Sequence, residues 1–293
     1  MIAEFIFTSA ESKFLIAKAM ANMPAVKKAF SQGILALHPS STTYCLIKEL
    51  TGHGPQGPVW VTGMVVPKGL CIEANTQVKK SDAAEGQGIG KALADPGLYP
   101  HTIVAHRGEV VLGWTIYDLM ERMGPGDIYV KGVNAIDVNR KVGVLLGSLA
   151  EGTIGKMLKA REEKKFDIYC PVGLEKLIPV TIDQGSAFVE RPKDYSMGQK
   201  CRLKGLDGVV CTEVDALEQL AGVKAVPFAA GGLDGAEGAV MIAVEGAAEQ
   251  VEKAIAVAES VKGLTLPQVH SPQCPDCSHP TCHIKGANKP WVK

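Results

Sequence analysis

The order of apolar and polar positions along the chain changes period several times, and those changes outline the elements. Thr8 and Glu11 have the spacing of a capping box. They open an apolar, helix-compatible stretch to about Ala21. Pro24 suits the first turn of a second helix, which runs to Ser31 and which Gly33 stops. Ile34–Leu37 is a short continuous apolar run of the buried-strand kind. The polar loop His38–Thr43 and a helical pattern from Tyr44 to Leu50 follow it. Residues 53–113 are rich in Gly and Pro and carry short β-type runs at 59–66, 70–74, 102–105 and 110–112. This reads as a β-rich insertion with a mobile loop around residues 81–97.

Alternation resumes beyond the insertion. A helix is expected at 115–122, strands at 127–130 and 142–146, a helix at 151–163, and a buried strand at Phe166–Cys170. A polar stretch, 188–199, precedes a compact βαββα pattern: strand 209–212, helix 213–220, strands 223–228 and 240–244, and a long helix 247–261. The glycine-rich segment 231–238 precedes a strand rather than a helix. It therefore reads as a hairpin-type connection and not as a nucleotide fingerprint. The expected fold class is α/β: a Rossmann-like, mainly parallel sheet with a β-rich insertion, a small C-terminal α+β domain, and a Cys/His-rich tail. The boundaries drawn are 1–200 for the α/β domain, with its insertion at about 53–113, then 201–264 for the small domain and 265–293 for the tail.

Composition narrows the function classes. Lys plus Arg number 31 and Asp plus Glu 31, so the formal net charge is zero. That balance speaks against a polybasic nucleic-acid or membrane binder, and 5% aromatic residues leave little for stacking on bases. With 46% hydrophobic and 21% charged residues over 293 positions, the chain has the make-up of a folded globular protein. No apolar run approaches the ~20 residues that cross a bilayer. Glu4 and Glu11 flank the first apolar patch, unlike a signal peptide, so a cytoplasmic protein with reduced thiols is expected.

Four segments carry candidate chemistry. The run Ser40, Ser41, Thr42, Thr43 lies between a buried strand and a helix, where hydroxyls and free backbone N–H groups can receive a phosphate or carboxylate. Ser and Thr also cap helices, but a cap needs one hydroxyl rather than four. Lys131-Gly-Val-Asn-Ala-Ile-Asp137 follows a strand, so Lys131, Gly132, Asn134 and Asp137 fall where α/β sheets collect ligands. The same residue types also make turns. Lys176 follows the strand ending at Cys170 and could neutralise the same anion. Asp137 is the first candidate for a general base.

The strand, hydroxyl run and helix at 34–50, the Lys131–Asp137 segment with Gly143 after it, and Val172–Pro179 together resemble the superfamily of ribose-5-phosphate isomerases, glucosamine-6-phosphate deaminases and CoA transferases. The nearest parallel is its sugar-phosphate-sensing branch, the ligand domains of DeoR-type repressors. The likeness spans about residues 10–185. It implies a phosphate held by Ser40–Thr43, a ligand lying along Gly132–Asp137, and a closing contact from Glu175-Lys176. Asn134 stands where an acidic residue is usual, and no helix-turn-helix precedes the domain. A sugar phosphate or an acyl-CoA is the implied ligand, with isomerase- or transferase-like chemistry if the site is active.

The tail has the most specific spacing. Cys274, Cys277 and Cys282, with His279 or His283, supply the three thiolates and one imidazole of a tetrahedral zinc site. An iron–sulfur cluster is the second choice. About 30 residues cannot build a hydrophobic core, so the metal is expected to be structural. Two functions result. One is a binder or enzyme for a small anionic metabolite. The other is a non-catalytic regulatory or assembly protein that uses residues 201–264 and the tail for homo-oligomerisation or docking.

Overall fold

The structure is a computed structural model that describes residues 1–55, 59, 61, 65–71, 102–111, 114–147, 152–269, 274 and 282–284. The loop expected around 81–97 lies outside these residues. Its centre is a six-stranded mixed sheet built from β2 (Ile34–Leu37), β5 (Ile103–His106), β6 (Glu109–Val111), β7 (Ile128–Val130), β10 (Asp167–Pro171) and β12 (Val209–Cys211). The order across it is β12-β10-β7-β2-β5-β6. The first four strands are parallel, and β5 and β6 add antiparallel at one side. The late strands of the Gly/Pro-rich segment thus complete the main sheet through β2.

Both faces of this sheet are covered, which is why β2 is apolar at every position and fully buried. Leu35, Leu37, Ile128, Val130 and Tyr169 point to one core, and Ile34, Ala36, Tyr129, Ile168 and Cys170 to the other. The first core is closed by α1 (Ser9–Asn22) packed against α3 (Ser41–Thr51) and, toward the C-terminus, α7 (Glu213–Ala221). The second is closed by α4 (Ile116–Arg122) and α5 (Gly152–Lys164). The capping box at Thr8 forms in both directions, Thr8 N–H to Glu11 Oε2 at 2.8 Å and Glu11 N–H to Thr8 Oγ1 at 3.3 Å. Helix α1 buries Phe14, Leu15, Ile16 and Met20 almost completely, each contributing about 1.5–3 kcal/mol of apolar burial. It ends at Met23, where α2 (Pro24–Gln32) begins with Pro24 in its first turn.

Two smaller sheets flank the centre. β1 (Ile2–Phe7), β14 (Val240–Glu245) and β13 (Lys224–Ala230) form an antiparallel sheet in the order β1-β14-β13, backed by α8 (Ala248–Val261). β8 (Ala135–Ile136), β9 (Val142–Leu146) and β11 (Arg202–Leu206) form another, with α6 (Ile182–Val189) against β11. A short hairpin, β3 (Val65–Val66) with β4 (Gly69–Leu70), completes the described strands. The chain-order boundary drawn at residue 200 is crossed by hydrogen bonds. β1 pairs with β14, β9 with β11 and β10 with β12, so residues 201–264 share their sheets with earlier parts of the chain.

Candidate functional site

The parallel strands β2, β7 and β10 deliver three loops to the same end of the sheet, their carboxyl ends. The loop after β2 holds the hydroxyl run. Helix α3 starts at Ser41, three residues before the sequence pattern places it, because Ser40 and Thr43 make a reciprocal capping pair. Ser40 N–H donates to Thr43 Oγ1 at 2.8 Å, and Thr43 N–H to Ser40 Oγ at 3.3 Å. Thr43 Oγ1 also donates to the His38 carbonyl at 2.8 Å. Two of the four hydroxyls therefore serve the cap. Ser41 and Thr42 occupy the first turn, where backbone N–H groups have no partner within the helix. His38 Nδ1 lies 3.0 Å from the Tyr129 hydroxyl, which ties the end of β2 to β7.

The loop after β7 touches the hydroxyl loop. A Cβ on Gly132 would come within 3.1 Å of Ser40 Oγ, so the two backbones meet at a distance that suits glycine. Lys131 continues the ladder, its N–H donating to the Tyr169 carbonyl at 2.9 Å. Its side chain is buried, and Nζ donates to the Gly132 carbonyl at 3.1 Å. Burial pushes the Lys131 ammonium down to about 8. The thiol of Cys170 opposes that shift and the charge of Lys176 adds to it. Lys176 lies in the 3-10 turn Leu174–Lys176 after β10 and donates from Nζ to the Val133 carbonyl at 2.9 Å. Burial lowers its pKa as well. Ser40, Gly132, Lys131 and Lys176, expected together from the sequence, thus occupy adjacent loops.

Asp137 has another task. Its Oδ1 accepts N–H bonds from Asn139 at 2.9 Å and Lys141 at 3.0 Å, and its Oδ2 accepts from Ile182 at 2.9 Å. Burial alone would raise its pKa. The three backbone donors and nearby Lys141 outweigh that and hold the carboxyl below its ordinary value. A carboxylate so committed closes the β8–β9 turn and anchors α6. Asn134 is a staple of the same hairpin. Its Oδ1 accepts from Leu145 N–H at 3.0 Å, and its own N–H donates to the Gly143 carbonyl at 2.8 Å.

Sequence reasoning missed two charged side chains at this end, Glu213 and Lys13. Glu213, the first residue of α7, is fully buried and accepts from Leu174 N–H with both oxygens, at 3.1 and 3.0 Å. Burial raises its carboxyl to about 7. Lys13 on α1 faces Glu175 at 3.5 Å, and Glu175 Oε2 is buried without a hydrogen-bond partner. The capping pattern Thr212 to Asp215 did mark where α7 begins. Nothing local marked Glu213 as interior, since an acid in a first helical turn is ordinary.

The described tail residues 282–284 lie against the body. Cys282 bridges Gln199, His283 N–H donates to the Gly198 carbonyl at 2.9 Å, and Ile284 is buried. His283 Nδ1 accepts from Ser196 N–H at 3.1 Å. That bond leaves the ring proton on Nε2, so His283 in this arrangement offers no lone pair to a metal. Cys277 and His279 lie outside the described residues. Among those described, no three metal-binding side chains come together. A cleft of about 750 Å³ opens at the opposite, amino end of β10, between α5 and β11, and is lined by Lys159, Glu162, Asp167, Glu190 and Lys204 among others. Its charges are mixed, and it does not coincide with the lysine cluster. Among the described residues, no helix is long and apolar enough to cross a membrane.

Comparison with known protein families, with curated proteins and with solved structures returned no match.

Proposed function

We propose that this protein binds a small carboxylated or phosphorylated metabolite at the carboxyl ends of β2, β7 and β10. The observation that carries the reading is the state of Lys131 and Lys176. Lys131 is buried and Lys176 half-buried, and each donates to a backbone carbonyl rather than to a carboxylate. Burying an ammonium that no carboxylate hydrogen-bonds is costly, most of all for Lys131, on which no acid acts, and an incoming anion would relieve that cost. The N–H groups of Ser41 and Thr42 at the start of α3 supply further donors. A sugar phosphate or an acyl-CoA fits this chemistry, as do small dicarboxylates, with an isomerase- or transferase-like reaction if turnover occurs. The test is a thermal-shift and calorimetric screen of those ligands. Lys176→Met should weaken binding at least tenfold, and the loss should shrink at high salt. Equal affinity in the variant at low salt would remove the site from this end of the sheet.

A structural zinc ion in the tail belongs to the same proposal, held by Cys274, Cys277 and Cys282. Because His283 has its Nδ1 engaged by Ser196, His279 is the preferred fourth ligand.

A second reading, assembly into a homo-oligomer, is favoured by the outer face of the β1-β14-β13 sheet. Ile2, Ile6, Val226 and Phe228 are each about half exposed or more on its two outer strands. Sedimentation equilibrium on the full chain and on Ile6→Glu decides it. A monomer in both cases would leave the face without a second copy.

A further inference from the structure

Resting on the anion-binding reading, we propose that Lys131 acts as an amine nucleophile. It would form an imine with the carbonyl carbon of a substrate whose carboxylate or phosphate is held by Lys176. The inference starts from placement. Lys131 stands at the carboxyl end of β7, the strand with a parallel neighbour on either side, so its backbone is fixed by the ladder. Its ammonium has no carboxylate partner. The titratable groups that act on it are the buried Cys170 thiol, pushed up to about 12 by burial and hence neutral, and the cation of Lys176. A desolvated lysine beside a second cation is the arrangement that keeps an amine deprotonated and reactive near neutral pH. With its ionisation near 8, an appreciable share of Lys131 is free amine at physiological pH.

Two cations of unequal role suit a bifunctional substrate. Lys176, on the loop after β10 with Nζ on the Val133 carbonyl, is placed to meet the anionic group, and Lys131 supplies the lone pair. Nζ adds to the carbonyl carbon as the C=O π pair moves to oxygen, giving a carbinolamine. The oxygen then leaves as water, taking its two hydrogens from the amine nitrogen and the solvent pool, and a protonated imine remains. No oxidant or reductant is consumed. The substrate class is a short 2-oxo acid or a phosphorylated aldehyde or ketone.

The test uses the full chain. Glyoxylate, pyruvate and pyridoxal phosphate are each incubated with the protein, borohydride is added, and intact mass and peptide mapping follow. The expected result is one reduced adduct on Lys131, formed at least tenfold faster than on surface lysines and slowed by inorganic phosphate. Lys131→Arg, which keeps the charge, should lose that adduct. Labelling spread evenly over surface lysines, or an adduct that persists in Lys131→Arg, overturns the proposal. Mapping the wild-type protein keeps the test valid if the variant does not fold. Phosphate binding measured in parallel separates the two readings: binding without an adduct removes the imine alone, whereas absence of both removes the anion site as well.

Discussion

Replacing Asp137 tests whether that carboxylate shapes the backbone or performs chemistry. Asp137→Ala removes the acceptor for three backbone N–H groups. A buried donor left without a partner costs about 1–3 kcal/mol. The Ile182 N–H lies in a fully buried setting and should incur most of that. Those of Asn139 and Lys141 sit in a partly exposed turn, where water can replace the lost acceptor. The total loss should therefore be about 2–4 kcal/mol, and Asp137→Asn, which keeps one oxygen, should lose roughly half of it. Urea unfolding of the three proteins measures this. The pH dependence has a fixed sign. The folded-state pKa is depressed, so the contribution is complete above the unfolded value near 3.8 and is lost as pH falls through the folded value. The acid limb of stability should be flatter in Asp137→Ala than in the wild type. Anion affinity, measured where both proteins are folded, should change little. A variant as stable as wild type that has lost ligand turnover would refute this reasoning and return Asp137 to a proton-transfer role.

Glu213 carries the opposite sign. Its folded pKa is raised to about 7, so stability should fall as pH rises from the model-peptide value of 4.5 toward 7, and Glu213→Gln should flatten that slope in urea titrations across the range. Ser41→Ala with Thr42→Ala removes two hydroxyls but keeps the backbone N–H groups, so it should weaken anion binding without abolishing it, at a cost of less than about 1 kcal/mol because the cap uses Ser40 and Thr43; calorimetry and urea unfolding of the double variant read the two effects separately. Cys277→Ser should drop the metal content from one per chain to none and open the tail to protease between residues 267 and 273. Absence of metal from the wild-type protein, with the tail equally protected, would leave only packed thiols there.

The parallel strands were readable because burial on both faces writes continuous apolar runs, as in Ile34–Leu37 and Ile168–Cys170. Helix starts were readable wherever a Ser or Thr stood three residues before an acid or amide. One such capping signal and one strand alternation went unused. Thr181 and Gln184 cap α6 just ahead of the polar stretch 188–199, where no element was expected. Ile2–Phe7 alternates outward Ile2, Glu4 and Ile6 with inward Ala3, Phe5 and Phe7, yet it is short enough to pass for an apolar patch. The pairing of β1 with β14 joins residues about 240 positions apart, and no local pattern carries that information. The hydroxyl run and the two lysines were legible as residue types after strands. The role of Asp137 was not, because its partners are backbone N–H groups whose positions exist only after the β8–β9 turn has formed.

The charges at the carboxyl ends of the strands are linked as one system. Lys131 and Lys176 act on each other, Lys176 also feels Lys13, Glu175 and Glu213, and Lys13 faces Glu175 at 3.5 Å. Three lysines against two carboxylates leave one net positive charge when Glu213 is ionised and two when it is protonated. An anion arriving at this cluster would favour the state with more positive charge, so binding should draw a proton onto Glu213 or hold it there. It should at the same time raise the ammonium pKa of Lys176. Glu175 belongs to the same balance, because its Oε2 is buried with no donor and its nearest cation is shared. Gly238 brings the glycine-rich connection between β13 and β14 to within 3.9 Å of the Glu175 side chain, measured from the position a Cβ would take. The backbone there has φ of +80°, which glycine adopts without strain, so the loop can close over the 3-10 turn. Gly238 and the acids Glu175 and Glu213 thus meet around one turn, whose last residue, Lys176, faces the proposed ligand.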